Sequence, residues 1–342
     1  MLRPEQLLYP APEGLYCPLG GFHVDPVRPV ARALITHGHA DHARSGHGEV
    51  LATAETLRIM AARYGEEFAR SRQAAVLGAA MRIGEVSVTF HPAGHVLGSA
   101  QIAVEAKGCR IVVSGDYKRR RDPTCLPFEP VPCDVFITEA TFGLPVFRHP
   151  DDTVEIHKLL RSLQEFPERA HLVGAYALGK AQRIIKRLRE EGYDAPIYIH
   201  GALERLCALY AEEGIDLGEL RPATLEAGRK TDGSKTDFAG ALVVCPPSAF
   251  ADRWARRFPD PVPCFASGWM TIRQRAKQRG VELPLIVSDH CDWDELTATI
   301  EEIGPAEVWV THGREEALVR WCELAGIRAK PLHMVGYEDE GD

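Results

Sequence analysis

Short apolar runs separated by glycine and proline dominate the first part of the chain. Residues 87–90 and 110–113 have the length and composition of buried strands. Further strands are predicted at residues 33–36, 99–105 and 134–138, and a helix is predicted at residues 54–64. This pattern predicts packed sheets within residues 1–150.

The pattern changes after residue 150 and returns near residue 285. Helical periodicity over 153–166, 179–191 and 203–212 alternates with strands at 197–199, 241–245 and 262–266, and a further helix is predicted between the last two strands. This alternation predicts an α/β unit with a parallel sheet. The strand at 285–288, the helix at 293–303 and the strand at 308–311 then resemble the first part. We therefore predict residues 1–150 and 285–342 to form one domain, interrupted by a second domain at 151–284. A loop is predicted at 230–235 and an acidic, frayed tail at 338–342.

Composition excludes some classes of protein. No run of about eighteen apolar residues predicts a membrane span, and the first residues lack the layout of a secretory signal. The nine cysteines include no Cys-x-x-Cys pair, which favours reduced thiols and a cytoplasmic location. The formal charge of −8 argues against nonspecific adhesion to nucleic acid, but it does not exclude a nuclease, since some carboxylates are candidate metal ligands.

Four side chains that can bind a metal lie within six residues, directly after the predicted strand 33–36. They are His37, His39, Asp41 and His42. Three imidazoles and a carboxylate at the end of a buried strand would lack polar partners in a core. Because zinc and manganese accept such ligands, a metal centre satisfies all four groups at once.

Three more candidates, His95, Asp116 and His312, each follow a predicted strand. Any one of them alone is more often an ordinary turn residue than a ligand. Together with the first four they complete two metal sites, so two divalent ions, zinc or manganese, are expected. We assign His37, His39 and His95 to one ion and Asp41, His42 and His312 to the other, with Asp116 between them.

The ligand pattern resembles that of the metallo-β-lactamase superfamily. The matching residues are the motif His37-x-His39-x-Asp41-His42, together with His95, Asp116 and Asp25. The resemblance implies that Asp25 orients a ligand from behind rather than binding metal itself. It does not choose a reaction, since hydrolases of lactams, thioesters, lactones and phosphodiesters share these motifs.

Glu139, His290 and His312, placed around an α/β insertion, are similar to the three additional motifs of the β-CASP nucleases. This resemblance implies an α/β fold class, a metallo-β-lactamase αββα sandwich interrupted by an α/β β-CASP domain. The stretches Thr141-Phe142-Gly143-Leu144-Pro145, residues 177–182, and Ser267-Gly268-Trp269-Met270 are most similar to the bacterial ligase-associated DNA exonucleases. One departure keeps an RNA nuclease open, because Artemis-like DNA enzymes lack the last histidine and His312 is present here.

The resemblance implies a DNA exonuclease of repair that uses a metal-bridging hydroxide, with His290 as general acid held by Glu139. A DNA ligase and a helicase of the same pathway are the implied partners. The alternatives are an RNA-processing nuclease, a small-molecule hydrolase and an inactive scaffold that binds nucleic acid. The size of the insertion argues against the small-molecule hydrolase, and the full ligand set argues against the scaffold.

Basic residues near the predicted loops are candidate contacts to nucleic acid. Lys118, Arg119 and Arg120 follow Asp116, and Lys180 begins the amphipathic helix. Ser267 is a further candidate contact, because it belongs to the stretch Ser267-Gly268-Trp269-Met270 described above. A third basic run of four residues follows Trp269, which could stack on a base. Solvated surface for each charge run, and core packing for Trp269, remain the alternative interpretations.

Overall fold

The structure is a computed structural model that describes residues 2–224 and 238–332. It contains two compact units, one formed by Met1–Arg148 with His290–Asp342 and the other by His149–Asp289. The predicted loop at 230–235 and the predicted tail at 338–342 lie outside the described residues. Strands and helices are labelled below in chain order.

The first unit contains two sheets. The first sheet consists, in spatial order, of β1 (Tyr9–Ala11), β2 (Gly14–Cys17), β3 (Phe22–Val24), β4 (Arg32–Leu34), β5 (His47–Thr53) and β6 (Ala69–Ala75). The second consists of β19 (Arg328–Pro331), β18 (Glu307–Gly313), β11 (Val135–Ala140), β10 (Cys109–Val113), β9 (Ala100–Ala106), β8 (Val86–Pro92) and β7 (Met81–Ile83). Neighbours from β3 to β6 and from β10 to β19 are parallel, and the remaining pairs are antiparallel.

Helices cover the outer faces of both sheets. The helices of this unit are α1 (Pro4–Leu7), α2 (Ala54–Tyr64), α7 (Trp293–Ile303) and α8 (Glu315–Leu324). Alternate residues of the two sheets, such as Leu15 and Val88, pack against each other in the central core. On the outer faces, Met60 of α2 packs with Val50, and Leu296 of α7 packs in the same cluster as Phe136. The resulting order of helix, sheet, sheet and helix confirms the αββα sandwich.

The second unit is an α/β unit with a parallel sheet, as predicted. Its strands are, in spatial order, β14 (Leu220–Pro222), β13 (Ile197–Ile199), β15 (Leu242–Cys245), β12 (His171–Gly174), β16 (Val262–Ala266) and β17 (Leu283–Leu285), and every neighbouring pair is parallel. Its helices are α3 (Asp152–Glu165), α4 (Lys180–Glu190), α5 (Gly201–Glu212) and α6 (Arg273–Gln278). No helix in the described ranges of either unit is long and apolar enough to cross a membrane.

Two predicted elements that lie in the second unit are wrong, and one of them, the strand 285–288, was predicted as part of the first domain. The segment between β15 and β16 forms two 3₁₀ helices, Pro247–Ala251 and Arg253–Arg257, instead of an α-helix, because Asp252 between them is extended (φ −86°, ψ 160°). The predicted strand 285–288 ends at Leu285. Beyond it, the backbone N–H of Ile286 donates to Glu155 and the carbonyl of Ser288 accepts from Arg183, so side chains take the groups that would extend the strand.

Candidate metal centre

Hydrogen bonds to the Asp25 carboxylate hold the backbone after β4, where the histidine-rich loop begins. Asp25 follows β3 with a positive φ of 43° and is buried. Its carboxylate accepts hydrogen bonds from the backbone N–H of Thr36 at 2.8 Å and from the Thr36 hydroxyl at 2.6 Å. Gly115 passes so close that an added Cβ would lie 2.7 Å from the Thr36 side chain. These contacts set the direction in which the next residue, His37, leaves the sheet.

Four predicted ligands converge into one buried group. The donor atoms of His37, His39, His95 and Asp116 all lie within 4.8 Å of one another. His39 Nδ1 is 3.1 Å from His37 Nε2 and 3.0 Å from His95 Nε2. Asp116 Oδ2 lies 3.4 Å from His37 Nε2 and 3.7 Å from His95 Nε2. The ends of β4, β8 and β10 therefore deliver these side chains to one point.

The chemistry of this group fits a divalent cation. A tetrahedral ion with ligand bonds of about 2.0–2.1 Å would hold its donors about 3.3–3.4 Å apart, which lies within the 3.0–3.7 Å spread of the distances above. Burial lowers the pKa of His37 and of His95 well below the usual range, so both rings are neutral and present lone pairs. Three imidazoles and one carboxylate form a donor set that zinc and manganese accept. This cluster indicates metal binding.

The second predicted set is looser. His42 Nε2 lies 3.4 Å from Asp116 Oδ2 and 3.5 Å from Asp41 Oδ2, and its Nδ1 is 2.8 Å from Asp25 Oδ2. The ring of His312 stacks on that of His42 with centroids 5.4 Å apart. Among the described residues, Asp41, His42 and His312 do not join Asp116 in a group as tight as the first. The structure nevertheless brings the other six predicted ligands into the neighbourhood of Asp116.

The pKa of His42 is raised, whereas the pKa values of His37, His95 and His312 are lowered. Burial opposes its charge, but the carboxylates of Asp116 and Asp41 raise the pKa of His42 well above the usual range. Burial also works against the charge of Asp116, whose pKa is nevertheless held well below its usual range by His42 and His37. Burial lowers the pKa of His312 to about 3. In the protein without metal, one buried ion pair between His42 and Asp116 therefore lies among neutral rings.

Glu139 and His290 form a hydrogen-bonded pair beside the cluster. His290 Nδ1 donates to the Glu139 carboxylate at 2.8 Å, and its ring centroid lies 4.9 Å from that of His95. The same carboxylate accepts from the backbone N–H of Tyr117 at 2.9 Å and from the Thr141 hydroxyl at 2.5 Å. With Asp116 the pair forms a second group of closely spaced donors. Sequence reasoning did not identify the Tyr117 amide or the Thr141 hydroxyl as partners, and no spacing in the sequence points to them.

The predicted contacts near Asp116 are held by carboxylates of α7 and its N-terminus. Lys118 is buried. Arg119 donates to Thr299 at 3.1 Å and to Glu302 at 2.6 Å. Arg120 lies 2.7 Å from the buried carboxylate of Asp292 and 3.1 Å from Glu295. Arg119 and Arg120 are therefore fixed in place by ion pairs within the first unit.

The predicted contacts in the second unit are also largely internal. Lys180 is buried, and its Nζ lies 3.0 Å from Asp289 and over the ring of Tyr176. Arg183, fully buried, forms an ion pair with the other oxygen of Asp289. Ser267 is buried, and its hydroxyl accepts from the backbone N–H of Trp269 at 3.3 Å. The sequence showed the basic side of this network but not its acid, Asp289, which is 106 residues from Arg183.

Comparisons with known proteins place the chain beside nucleases and one ligase. No protein-family model matches it. It is 28% identical, over 93% of its length, to a protein of Opitutus terrae named "Probable DNA ligase", of which it spans 32%. It is 26% identical, over 92% of its length, to a ribonuclease of Thermus thermophilus, of which it spans 88%. Over 36% of its length it is 33% identical to cleavage and polyadenylation specificity factor subunit 3 of Dictyostelium discoideum, of which it spans 17%.

A solved structure supports the fold. The crystal structure of a protein of unknown function from Enterococcus faecalis matches with a TM-score of 0.56 and 16% identity, covering 82% of this chain and 74% of that one. At this identity the likeness concerns the fold alone. The chain spans about a third of the length of the ligase-named relative.

Proposed function

Since this chain belongs to the β-CASP group of the metallo-β-lactamase superfamily, we propose that it is a metal-dependent nuclease that hydrolyses phosphodiester bonds of DNA. The observation that carries the proposal is the buried group of His37, His39, His95 and Asp116 next to the Glu139–His290 pair. Metal ligands beside an oriented imidazole are what hydrolysis of a phosphodiester requires. We further propose that the second unit, His149–Asp289, is the inserted domain of this group.

The proposed ligands divide as the sequence suggested. His37, His39 and His95 would hold one ion, Asp41, His42 and His312 would hold a second, and Asp116 would be shared. When bound, divalent ions of this kind supply an activated water and neutralise charge on the scissile phosphate. Asp25 positions His42 through Nδ1, which leaves Nε2 directed towards Asp116.

His290 is the proposed general acid. Its Nδ1 is committed to Glu139, so Nε2 is the ring atom that can hand a proton to the leaving oxygen. Glu139 is fixed by its bonds to the Tyr117 amide and the Thr141 hydroxyl, and it stabilises the imidazole in its protonated form. This arrangement follows the logic of other catalytic histidines that a buried carboxylate orients.

We favour DNA, and an exonuclease role in repair, on two grounds. The motifs at Thr141–Pro145 and Ser267–Met270 are most similar to ligase-associated DNA exonucleases, and the ligase-named relative aligns over 93% of this chain. A DNA ligase of the same pathway is accordingly a proposed partner, together with a helicase. The second candidate function is RNA processing, favoured by the match to the Thermus thermophilus ribonuclease and by the presence of His312.

End-labelled strands test both candidates. DNA and RNA of the same sequence, each labelled separately at its two ends, are incubated with the purified chain and Mn²⁺ or Zn²⁺. We expect DNA to shorten progressively from one end, and we expect Asp41→Ala to abolish the reaction while Asp194→Ala, at an exposed position, does not. Cleavage of RNA with DNA left intact would transfer the function to the second candidate. If both strands stay intact with metal present, the chain is not a nuclease.

A further inference from the structure

The three basic runs of this chain differ in whether their charges are compensated. Near Asp116, Arg119 and Arg120 form ion pairs with acids of α7 and its N-terminus. On α4, Arg183 is paired with Asp289. On α6, by contrast, Arg273 and Lys277 are exposed, and within residues 2–224 and 238–332 they form no ion pair and no side-chain hydrogen bond. Among the described residues, the run on α6 therefore differs from the other two, because neither exposed cation of its helix is paired with a carboxylate.

The geometry of α6 directs these two cations together. Arg273 and Lys277 are four residues apart, so their Cβ atoms lie about 5–6 Å apart on one side of the helix. Ala276, between them in sequence, is buried with Phe265 and Met270 in a small apolar cluster. This contact holds the helix against the rest of the second unit. The Arg273 guanidinium and the Lys277 ammonium group therefore extend from a backbone that is held in place.

An aromatic ring lies at the start of the same segment. Trp269 is half-buried, and the Arg275 guanidinium lies over its indole ring, 4.2 Å from the ring centroid. The 3₁₀ turn Gly268–Thr271 that holds Trp269 is closed by the Ser267 hydroxyl, which accepts from the Trp269 N–H, and by the Thr271 hydroxyl, which donates to the Gly268 carbonyl at 2.9 Å. The ring and the Arg275 guanidinium are thus held together before any ligand arrives.

No acid weakens the positive charge of this segment from within. Residues 268–280 contain four basic residues and no aspartate or glutamate, in a chain whose formal charge is −8. The acids that flank it in sequence, Asp260 and Glu282, are both engaged by Arg169, at 3.3 Å and 2.9 Å. The local charge of this segment therefore remains positive, although the chain as a whole is negative.

We propose that Trp269, Arg273, Arg275 and Lys277, called here the α6 patch, bind the backbone of single-stranded nucleic acid. Arg273 and Lys277 contact phosphates, while Trp269 with its attached guanidinium offers a flat surface for a base. The identity of the polyanion rests on the proposed nuclease function. An aromatic surface and exposed cations on one short segment suit a single strand, whose bases are exposed, better than a duplex, whose bases are stacked inside.

The binding test measures the two phosphate contacts by their salt dependence. Anisotropy of a labelled single-stranded oligonucleotide is followed with the full chain, in EDTA so that no cleavage occurs, over a range of salt concentrations. Each lost contact lowers the slope of log K against log salt by about 0.7, so Arg273→Gln with Lys277→Gln should lower it by about 1.4. At about 0.1 M salt this predicts binding weaker by about 25-fold, with the difference vanishing towards 1 M.

Two control variants separate the patch from net charge. Arg161→Gln with Arg253→Gln removes two exposed arginines from the same unit at other places and should change binding less than twofold. The swap Arg273→Lys with Lys277→Arg keeps both charges and should retain the original slope. Loss of binding in a swap variant that unfolds at the same urea concentration as the original chain would show that charge at these two positions does not explain binding, and it would contradict the proposal.

Several results would overturn the inference. These are an unchanged slope in the glutamine variant, equal loss in the Arg161 and Arg253 control, or equal patch-dependent affinity for a duplex of the same length. Displacement of the strand by an equal charge concentration of polyglutamate would instead assign the patch to an acidic protein. Because the assay contains no metal, it is independent of hydrolysis. A chain that binds through the patch but cuts neither DNA nor RNA would refute the proposed function and support this inference.

Discussion

Replacing Glu139 by glutamine should separate the role of the Glu139–His290 pair from simple packing. The carboxylate of Glu139 faces three hydrogen-bond donors, the Tyr117 backbone N–H, the Thr141 hydroxyl and His290 Nδ1. A carboxylate can accept from all three, whereas an amide of the same shape brings two N–H donors of its own. At least one donor must therefore face another donor in the variant.

The structure determines which contact is lost. The Tyr117 N–H cannot become an acceptor, so the amide oxygen should take the Oε1 position, 2.9 Å from it. The amide nitrogen then faces Thr141, whose hydroxyl can rotate, and lies 2.8 Å from His290 Nδ1, which keeps only the neutral amide oxygen, 3.0 Å away, as an acceptor. A protonated His290 would therefore lose its charged partner and have a donor as its nearest neighbour. Loss of general acid catalysis is worth about 10²–10⁴-fold in rate, or about 2.7–5.5 kcal/mol of barrier.

Rate and stability should respond differently to this change. We expect kcat on the labelled strand to fall within that range, with KM little changed, and the free energy of unfolding to fall by only about 1–3 kcal/mol. Glu129→Gln is the matched control, since Glu129 also pairs with a histidine, His91 at 3.1 Å, but at the surface. NMR of the imidazole nitrogens should show that a smaller share of the neutral His290 rings carries the proton on Nδ1 than in the unaltered protein. Full activity of Glu139→Gln, or a rate loss shared by Glu129→Gln, would refute this reasoning.

Three further predictions follow from buried groups. Asp25→Ala should lower the free energy of unfolding by about 3 kcal/mol, because three hydrogen-bond donors lose the carboxylate that they share. It should also weaken metal binding about 10–100-fold, because the His42 ring is no longer oriented. Urea unfolding and metal titration measure the two effects, and unchanged metal affinity would contradict the orienting role. Arg183→Met should cost up to about 3–5 kcal/mol, because the buried Asp289 loses one of its charged partners and keeps Lys180 at 3.0 Å; a neutral single variant in the same unfolding assay would show that the pair is dispensable. Adding Zn²⁺ to metal-free protein should raise its melting temperature, since the ion binds the folded donor set, and His39→Ala should remove most of this rise; an equal rise in His39→Ala would place the ion elsewhere.

The sequence predicted best the helices and strands whose ends are marked by nearby residues. Helix α7 was predicted at residues 293–303 and observed at Trp293–Ile303, because Asp292 and Glu295 form a capping box at its start and Gly304 adopts a left-handed conformation at its end. The ligand residues could be identified in the same way, because each follows the apolar run of a strand. The failures lie where backbone groups bond to distant side chains, as Ile286 does to Glu155, 131 residues away.

Pairings between distant residues could not be predicted from periodicity. The acid that holds Arg183 is Asp289, and the partners of Glu139 include a backbone amide 22 residues before it and a histidine 151 residues after it. Such contacts depend on the order of strands in the sheet, which several topologies would satisfy equally well. The ligand set was easier to predict because each ligand stretch directly follows an apolar strand in the sequence, which can be recognised without knowing the order of the strands.

The basic runs near Asp116 and on α6 look alike as sequence, and the difference between them is energetic. For Arg120 to contact a phosphate it would have to leave Asp292, whose carboxylate is only 2% exposed, and an uncompensated buried carboxylate costs more than the roughly 0.2–1 kcal/mol of an exposed pair. Arg273 and Lys277 have no such pair to break within the described residues. A strand of nucleic acid therefore gains the full charge interaction at α6, whereas near Asp116 it must compete with acids already in place. Proximity to the ligands in sequence is accordingly a weaker guide to phosphate contact than the absence of a competing carboxylate.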